Sequence, residues 1–388
     1  MVSINQRAAA RLRHGHVWVY RSDLVTVPEL EQGSVVSVGD ERKNLIGTAF
    51  YSTSSQIALR LISTGAVADL GELVRERMRT AIGLRKSWVE NSDSCRLIFS
   101  EADQLPGVIA DRYNDIVTVQ FLSQATDQEW FRSALLEGVQ QEVGPAAIME
   151  RVEERIRELE QLPERESGLL FGEKASTVFH LNEVCFGFNA LEGQKTGAFL
   201  DQRENYAAAA KYAHGEAMDV FTYQGGFALH LARVCERVTG VDSSRAALET
   251  AEKNEALNRE SNRNEIEWLE ANAFDLLKDW SSTGRQFDTI VLDPPAFAKT
   301  KKDSGSALRG YKEINLRALK MLRPGGVLVT CSCSHHVSET DFLDMLRDAA
   351  SDARRVVRVL EKRGQAKDHP VLLGVPETAY LKCVILQV

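Results

Sequence analysis

An aspartate followed by two prolines, and two cysteines further along the chain, are the residues whose types and spacing could do the most specific chemistry. Asp293, Pro294 and Pro295 directly follow one apolar run, and Cys331 and Cys333 lie at the end of the next. Two prolines after a buried acid form a rigid wall with exposed carbonyl groups, which suits a planar base. A thiolate that adds to carbon 6 of a pyrimidine makes carbon 5 nucleophilic enough to attack a methyl sulfonium. The pattern therefore indicates a cysteine nucleophile beside a base pocket.

The two cysteines differ in their position relative to the predicted strand. Cys331 lies within the strand, where a thiol usually acts as a small apolar core residue. Cys333 follows the strand end, between two serines, and is nearer the edge where a methyl donor and a base would meet. We therefore expect Cys333 to be the nucleophile. His335 and His336 come next, and the sequence leaves open whether they lower the pKa of a thiol, contact phosphate or only shape a loop.

Polar residues also end three other strands of the same predicted sheet. Ligands of open parallel sheets bind outside the carboxyl ends of the strands, where glycines allow close approach of the backbone and helix starts offer free N–H groups. The candidate cofactor-binding residues at these ends are Asp219, Phe221, Tyr223, Gly225, Gly226, Asp242, Asn272 and Asp293. Asp242 suits the hydroxyl groups of a ribose. No GxGxxG follows the first strand, which argues against a dinucleotide and favours S-adenosyl-L-methionine. A tight turn and a helix cap remain the alternative explanation.

The elements that must position these residues alternate between strand and helix from residue 217 onwards. Such alternation predicts a doubly wound, mostly parallel sheet, whose last two strands form an antiparallel pair. The charged stretch of residues 149–166 is expected to be a solvated helical surface. We predict an α/β fold with a small β-rich domain over residues 1–68, a central α/β domain over 69–180 and a Rossmann-like class I methyltransferase domain over 181–388.

Composition limits the other possibilities. A chain of 388 residues implies two or three domains, and 44% hydrophobic with 26% charged residues excludes disordered and fibrous classes. The sequence has neither an apolar run of membrane-spanning length nor an apolar signal core, so we expect a cytoplasmic protein. Its six scattered cysteines predict reduced thiols rather than disulfides or a structural zinc site, and no metal is expected.

A basic cluster near the N-terminus weighs against the acidic balance of the whole chain. The net charge of −8 argues against nucleic-acid binding, but Arg7, Arg11, Arg13 and Arg21 lie within a short stretch. Arg11 and Arg13 are candidate contacts to an RNA substrate. A solvated edge explains the cluster equally well.

Several runs resemble a known family. They are RLRHGHVWVYRSDL, LPGVIADRYNDIVTVQ, LEGQKTGAFLDQR, DVFTYQGGFALHLA, GVDSS, LDPPAFAKTK, the SCS of residues 332–334 and YLKCVILQ. Together they are similar to the bacterial cytosine-5 methyltransferases of large-subunit (23S) ribosomal RNA, which have an N-terminal PUA domain. The similarity spans almost the whole chain.

The resemblance implies a role for several residues. Cys333 would be the nucleophile, Asp293 and Pro294 would hold the target base, and Phe199, Gln202 and Arg203 would border the methionine end of S-adenosyl-L-methionine. The implied partner is ribosomal RNA of the large subunit or an assembly intermediate of it, with no membrane, and a homodimer is left open.

Two other functions remain to be distinguished. One is methylation of a ring nitrogen or an exocyclic amine of a purine, for which DPPAF would orient the nitrogen and Cys333 would be dispensable. The other is a non-catalytic RNA-binding protein, which would not bind S-adenosyl-L-methionine.

Overall fold

Two units divide the chain in the computed structural model, which describes residues 1–190, 198–262, 264–298, 300 and 303–388. The first unit consists mainly of Met1–Phe179 and Lys367–Thr378. The second consists mainly of the described residues of 180–187 and 196–366, together with Ala379–Val388. Within the described part of the chain, no helix is long and apolar enough to cross a membrane.

The first unit begins with a small mixed sheet and one helix. Its elements are β1 (Val2–Ile4), α1 (Gln6–Arg13), β2 (Trp18–Tyr20), β3 (Leu24–Thr26), β4 (Val35–Gly39), β5 (Leu45–Tyr51) and β6 (Ile57–Ser63). The strand order is β2-β6-β5-β4-β1-β3. Asn5 caps α1 by accepting a hydrogen bond from the N–H of Ala8 at 2.8 Å. The β-rich character expected of residues 1–68 is present, whereas the short strands β1 and β3 and the helix α1 were not expected.

A second sheet of the first unit packs against two helices. The elements are α2 (Leu70–Trp88), β7 (Ser94–Phe99), β8 (Val108–Tyr113), β9 (Ile116–Phe121), α3 (Glu129–Val143), β10 (Ala147–Glu150), α4 (Glu154–Glu160) and β11 (Gly168–Phe171). The strand order is β11-β10-β9-β8-β7. Apolar residues of α2 and α3, among them Met78 and Phe131, form one buried cluster with the strands. A two-stranded sheet of β12 (Ser176–Leu181) and β13 (Val184–Asn189) follows in the chain.

The charged stretch of residues 149–166 is not a solvated surface throughout. Arg157 and Glu160 on α4 are buried, and the guanidinium of Arg157 lies 3.3 Å from a carboxylate oxygen of Asp127. The guanidinium of Arg132 pairs with the buried Glu150 at 2.5 Å. The expectation was wrong for these residues because partners from other elements neutralise their charges. A charged side chain can be buried at low energetic cost only when it has such a partner.

The second unit contains the long alternating sheet. Its elements are α5 (Arg203–Tyr212), β14 (Glu216–Val220), α6 (Gly226–Leu231), β15 (Arg237–Asp242), α7 (Arg245–Leu257), β16 (Ile266–Glu270), α8 (Ala273–Thr283), β17 (Phe287–Leu292), α9 (Ser304–Met321), β18 (Leu322–Ser332), α10 (Glu339–Asp352), β19 (Arg358–Arg363) and β20 (Lys382–Gln387). The order is β16-β15-β14-β17-β18-β20-β19. The first five strands are parallel, and β20 runs antiparallel between β18 and β19. The predicted α/β fold is confirmed.

The predicted three-domain boundaries stay predictions, but the contacts of one segment bear on them. The segment Lys367–Thr378 lies between β19 and β20 in the chain, yet it packs within the first unit. There the buried guanidinium of Arg85 donates to the carbonyl of Asp368 at 2.8 Å, and the N–H of Arg96 donates to the carboxylate of Asp368 at 2.8 Å. These buried polar contacts assign the segment to the first unit, although its position in the chain suggested the last domain.

Candidate active site

Asp219 organises the first loop at the carboxyl end of the parallel strands. The side chain is fully buried near the end of β14, and its Oδ2 accepts hydrogen bonds from the hydroxyl of Thr222 at 2.6 Å and the N–H of Ala228 at 2.9 Å. Its Oδ1 is buried with no hydrogen-bond partner among the described residues. Burial raises the pKa of Asp219 to about 7. One carboxylate oxygen therefore holds the loop, and the other keeps its capacity to accept a hydrogen bond.

The loop after β14 has a strained backbone. Phe221 and Tyr223 have φ angles of 67° and 51°, in the left-handed region that non-glycine residues rarely adopt. Such strain is typical of functional loops. Gly226 has a packing reason that the sequence did not reveal, because a Cβ atom there would lie 2.5 Å from the hydroxyl of Tyr206. Gly226 is therefore required by the packing of Tyr206, in addition to the close approach of a ligand that the sequence predicted.

Asp242 and Asn272 lie at the same edge of the sheet, since β15 pairs in register with β14 and β16. The two oxygens of Asp242 accept hydrogen bonds from the N–H groups of Tyr223 and Ser244, each at 2.9 Å. A carboxylate oxygen can accept a second bond, so the capacity to bind ribose hydroxyls remains. The Oδ1 of Asn272 caps α8 by accepting from the N–H of Phe274 at 3.0 Å. Capping and ligand binding are thus compatible at both positions.

The segment before α5 brings Gln202 to the carboxylate of Asp293. The Nε2 of Gln202 donates to Oδ2 of Asp293 at 3.0 Å, and its Oε1 accepts from the amide of Asn205 at 2.7 Å. Arg203 is buried, and the exposed ring of Phe199 lies 5.3 Å from the ring of Tyr223. Residues 191–197 of the run LEGQKTGAFLDQR lie outside the described residues, as do residues 299 and 301 of LDPPAFAKTK.

Asp293 is half-buried directly after β17. Burial raises the pKa of its carboxyl group to about 8, and the charges of Asp201 and Asp219 add to the effect. Asp293 is therefore largely protonated at neutral pH and can donate a proton or a hydrogen bond. Pro294 is buried and Pro295 is exposed. An acid beside a proline wall is the arrangement that the sequence predicted for a base pocket.

The structure separates the two cysteines. Cys331 is fully buried within β18 and faces Cys383 across the strand pair, and burial raises the pKa of its thiol well above the usual value. Cys333 follows the strand end and is partly exposed, with its Sγ 4.0 Å from the carbonyl oxygen of Pro294. Burial, with Asp293 and Asp201, raises the pKa of Cys333 to about 11. Only Cys333 combines solvent access with a place beside the proline wall.

Sequence reasoning missed four residues near Cys333, which are Tyr311, Ala298, Lys382 and Asp201. The hydroxyl of Tyr311, on α9, lies 2.9 Å from Oγ of Ser334, and the same Oγ accepts from the N–H of Ala298 at 3.3 Å. These bonds tie the loop after β17 to the loop after β18. The Nζ of Lys382 donates to the carbonyl of Ser334 at 2.7 Å.

Asp201 is the fourth of these residues. Its Oδ2 accepts from the hydroxyl of Tyr380 at 2.6 Å, and its Oδ1 is buried without a hydrogen-bond partner among the described residues. The expected run LEGQKTGAFLDQR contains Asp201, but no signal in the sequence distinguished it from its neighbours.

The N-terminal arginines have partners of their own within the first unit. The guanidinium of Arg11 lies 2.5 Å from a carboxylate oxygen of Asp23 and donates to the carbonyl of Trp18 at 3.1 Å. Arg13, 56% exposed, pairs with Asp40 at 2.9 Å. Arg21 donates to two main-chain carbonyls. Arg11 and Arg21 thus act in the architecture of the unit, and the role of Arg11 and Arg13 in RNA binding stays a prediction.

Comparisons with known proteins agree with this geometry. Residues 2–64 match the family model of a PUA-like domain, and residues 103–386 match that of S-adenosylmethionine-dependent methyltransferases. A protein of Photobacterium profundum named ribosomal RNA large subunit methyltransferase I is 35% identical over 381 residues, which cover 96% of this chain and 95% of the relative. A protein of the same name from Erwinia tasmaniensis is 36% identical over 379 residues, which cover 95% of this chain and 94% of the relative.

A solved structure shares the fold. The structure of SMU.776 complexed with SAH has a TM-score of 0.83 and 19% identity, and the match covers 100% of this chain and 99% of that one. At this identity the likeness shows the fold alone.

Proposed function

Since the chain belongs to the S-adenosylmethionine-dependent methyltransferase family, we propose that it methylates carbon 5 of a cytosine in ribosomal RNA of the large subunit, or in an assembly intermediate of it. S-adenosyl-L-methionine supplies the methyl group as a sulfonium electrophile. The names of the relatives and the PUA-like domain support the RNA substrate. We expect this reaction to take place in the cytoplasm.

The position of Cys333 is the observation that supports methylation at carbon 5 of cytosine rather than at a purine nitrogen. Methylation of a purine nitrogen needs no thiol, because the nitrogen lone pair attacks directly. Here the only partly exposed thiol at this edge of the sheet, among the described residues, lies 4.0 Å from the carbonyl of Pro294. The neighbouring Asp293 is protonated near neutral pH. A nucleophile and an acid together are what addition across a pyrimidine ring requires.

The proposed reaction balances with these two groups. The thiolate sulfur of Cys333 bonds to carbon 6 of the cytosine, and the electron pair of the ring moves to N3, which takes the proton of the Asp293 carboxyl group. Carbon 5 then bonds to the methyl group, and the bond between that group and the sulfonium sulfur breaks. The carbon 5 proton then leaves to solvent and its electron pair forms the double bond between carbons 5 and 6. The bond from carbon 6 to Sγ breaks with its electron pair on sulfur, and N3 returns its proton to the Asp293 carboxylate.

The remaining candidate residues would bind and orient the reactants. Cofactor candidates lie at the carboxyl ends of β14, β15 and β16, and three more lie just before α5 or at its first residue. They are Asp219, Phe221, Tyr223, Gly225, Gly226, Asp242, Asn272, Phe199, Gln202 and Arg203. The unpartnered Oδ1 of Asp219 is the atom that fits a ligand donor. Pro294 and Pro295 would form the wall of the base pocket. Arg13 would contact RNA phosphate.

Nucleoside analysis of the product tests the proposal. Purified protein transfers a labelled methyl group to large-subunit RNA from cells that lack the protein, and the RNA is digested and its nucleosides identified by mass spectrometry. We expect 5-methylcytidine with the wild type and with Cys185→Ala, which alters another partly exposed cysteine, and none with Cys333→Ala. A methylated purine, or 5-methylcytidine made by Cys333→Ala, would contradict the proposal.

A further inference from the structure

Lys382 is held beside the candidate nucleophile by the way β20 enters the sheet. The strand runs antiparallel to β18, and Lys382 pairs in register with Ser332, the residue before Cys333. Its Nζ donates to the carbonyl of Ser334 at 2.7 Å and to the carbonyl of Tyr380 at 2.9 Å. Two of the three donors of the ammonium group are therefore fixed by main-chain oxygens on either side of the active-site edge.

Within the described part of the chain, the ammonium group of Lys382 has no acidic counter-ion. Among the residues that the structure describes, no carboxylate lies within 4.0 Å of its Nζ, although the side chain is only partly exposed. A desolvated ammonium without a carboxylate is costly, and accordingly burial lowers the pKa of Lys382 to about 8. Other lysines of this unit, such as Lys362 and Lys312, pair with Glu339 and Asp352. An anion that forms beside Lys382 would therefore be stabilised by its ammonium group and would stabilise that group in turn.

Charged groups from several elements act on the thiol of Cys333, and they act in opposite directions. Asp293, after β17, and Asp201, before α5, both raise the pKa of the thiol, whereas Lys382, on β20, lowers it. The imidazole of His335 has a pKa lowered by burial and by Lys382, so it is neutral near pH 7. Lys382 is thus a cation whose charge favours the thiolate form of Cys333.

We propose that Lys382 is a positioning residue whose ammonium group, held between the carbonyls of Ser334 and Tyr380, is the counter-ion of the thiolate that Cys333 forms. The inference rests on the proposed function, which makes Cys333 the nucleophile. When the S–H bond of Cys333 ionises, its proton leaves to solvent through the exposed side of the thiol, and the electron pair stays on sulfur. Below its pKa of about 8 Lys382 keeps its own proton, so the pair carries no net charge while the sulfur attacks.

Alkylation of Cys333 by iodoacetamide tests the pair without RNA or cofactor. The rate is followed from pH 6 to 10 on the full-length protein, and fragment-ion spectra assign the adduct to Cys333 rather than to Cys331. Lys382→Gln keeps an amide donor for the two carbonyls but removes the charge. We expect it to raise the apparent pKa of Cys333 by about one unit, and so to slow alkylation about ten-fold at pH 7, where Lys382 is mainly protonated. Lys362→Gln, which removes an exposed charge from β19, should stay within two-fold of the wild type.

The comparison among variants separates charge from structure. A Lys382→Gln protein that is folded and alkylated at the wild-type rate would overturn the proposal, as would a loss confined to Lys382→Met, which lacks both charge and donor. If Lys382→Gln does not fold, Lys382→Arg decides: a profile within half a unit of the wild type supports the pair, and a folded variant with a raised pKa contradicts it. Alkylation is independent of methyl transfer, so the proposed function can fail in the nucleoside assay while this result stands.

Discussion

Two regions of the molecule are rich in charged side chains, and they use them in opposite ways. In the N-terminal cluster, Arg11 and Arg21 are satisfied by Asp23 and by main-chain carbonyls. At the carboxyl edge of β14–β18, Asp219 and Asp201 each keep a buried oxygen without a partner among the described residues. The charges of the first region are paired within the fold, whereas at this edge acceptor oxygens stay unpaired among the described residues, as the proposed ligand site requires. Spacing in the sequence reveals both clusters but does not tell them apart.

Buried carboxyl groups at this edge destabilise the fold once they ionise, and the sign of this effect follows from their pKa values. Asp219 and Asp293 have pKa values raised to about 7 and about 8, above the ordinary value of 3.8. Between pH 4 and 8 the folded protein therefore holds protons that the unfolded chain has released. Stability falls as the pH rises through that window, by at most about 1.4 kcal/mol per pH unit for each group. The site thus keeps a protonated acid at the expense of stability.

The largest effect is expected from Asp293→Asn, which separates catalysis from stability. Asparagine cannot give a proton to N3 of the cytosine, so methyl transfer should fall at least about 100-fold. The same change removes the deprotonation that weakens the fold, so the melting temperature should rise relative to the wild type, and it should rise more at pH 8 than at pH 5. Activity assays and thermal unfolding at the two pH values check this. Unchanged activity would exclude Asp293 as the acid.

A smaller loss is expected when Asp242 is replaced by alanine. The variant loses acceptors for the ribose hydroxyls and also the bonds that hold the N–H groups of Tyr223 and Ser244. Hydrogen bonds to a charged group contribute about 1.5–3 kcal/mol, so calorimetry should show S-adenosyl-L-methionine binding weakened about 10- to 100-fold. Glu249→Ala, on the exposed face of α7, is the control that should bind normally. Equal affinity in both variants would remove Asp242 from the cofactor site.

The smallest effects should distinguish two neighbouring arginines. Arg11→Ala leaves the carboxylate of Asp23 without its guanidinium partner in a largely buried position, so denaturant unfolding should show a loss of about 1.5–3 kcal/mol. Arg13→Ala removes an exposed ion pair and should cost less than about 1 kcal/mol. Its effect should instead be on RNA, as a few-fold weaker affinity and a salt dependence shallower by about one charge. If Arg11→Ala weakens RNA binding without destabilising the protein, the contrast between the two regions is wrong.

The family and the carboxyl edge of the sheet could be predicted, because they depend on local patterns. Apolar runs that end in Asp219, Asp242 or Asp293 mark strand ends wherever the helices lie, and the resemblance to the ribosomal RNA methyltransferases is confirmed by the relatives. The three-residue strands β1 and β3 were missed because they are too short to show a period.

What could not be predicted depends on pairing over long distances in the chain. Lys382 lies close to Cys333 only because β20 inserts beside β18, and nothing in the run YLKCVILQ indicates that neighbour. Likewise, Lys367–Thr378 packs in the first unit through Asp368, whose partners Arg85 and Arg96 are far away in the chain. Sequence patterns indicate which side of a helix or strand is buried, but only the folded structure shows which distant residues contact it.

Covalent trapping tests the central claim, attack by Cys333 on the target cytosine, most directly. RNA that carries 5-fluorocytosine should form a complex with the wild type, in the presence of S-adenosyl-L-methionine, that survives denaturing electrophoresis, because fluorine blocks the proton loss that would release Sγ. Cys331→Ala should still form this complex, since Cys331 is sealed within β18. Cys333→Ala should form none. Trapping by Cys333→Ala but not by Cys331→Ala would assign the attack to Cys331, and trapping by both variants would contradict attack by either cysteine.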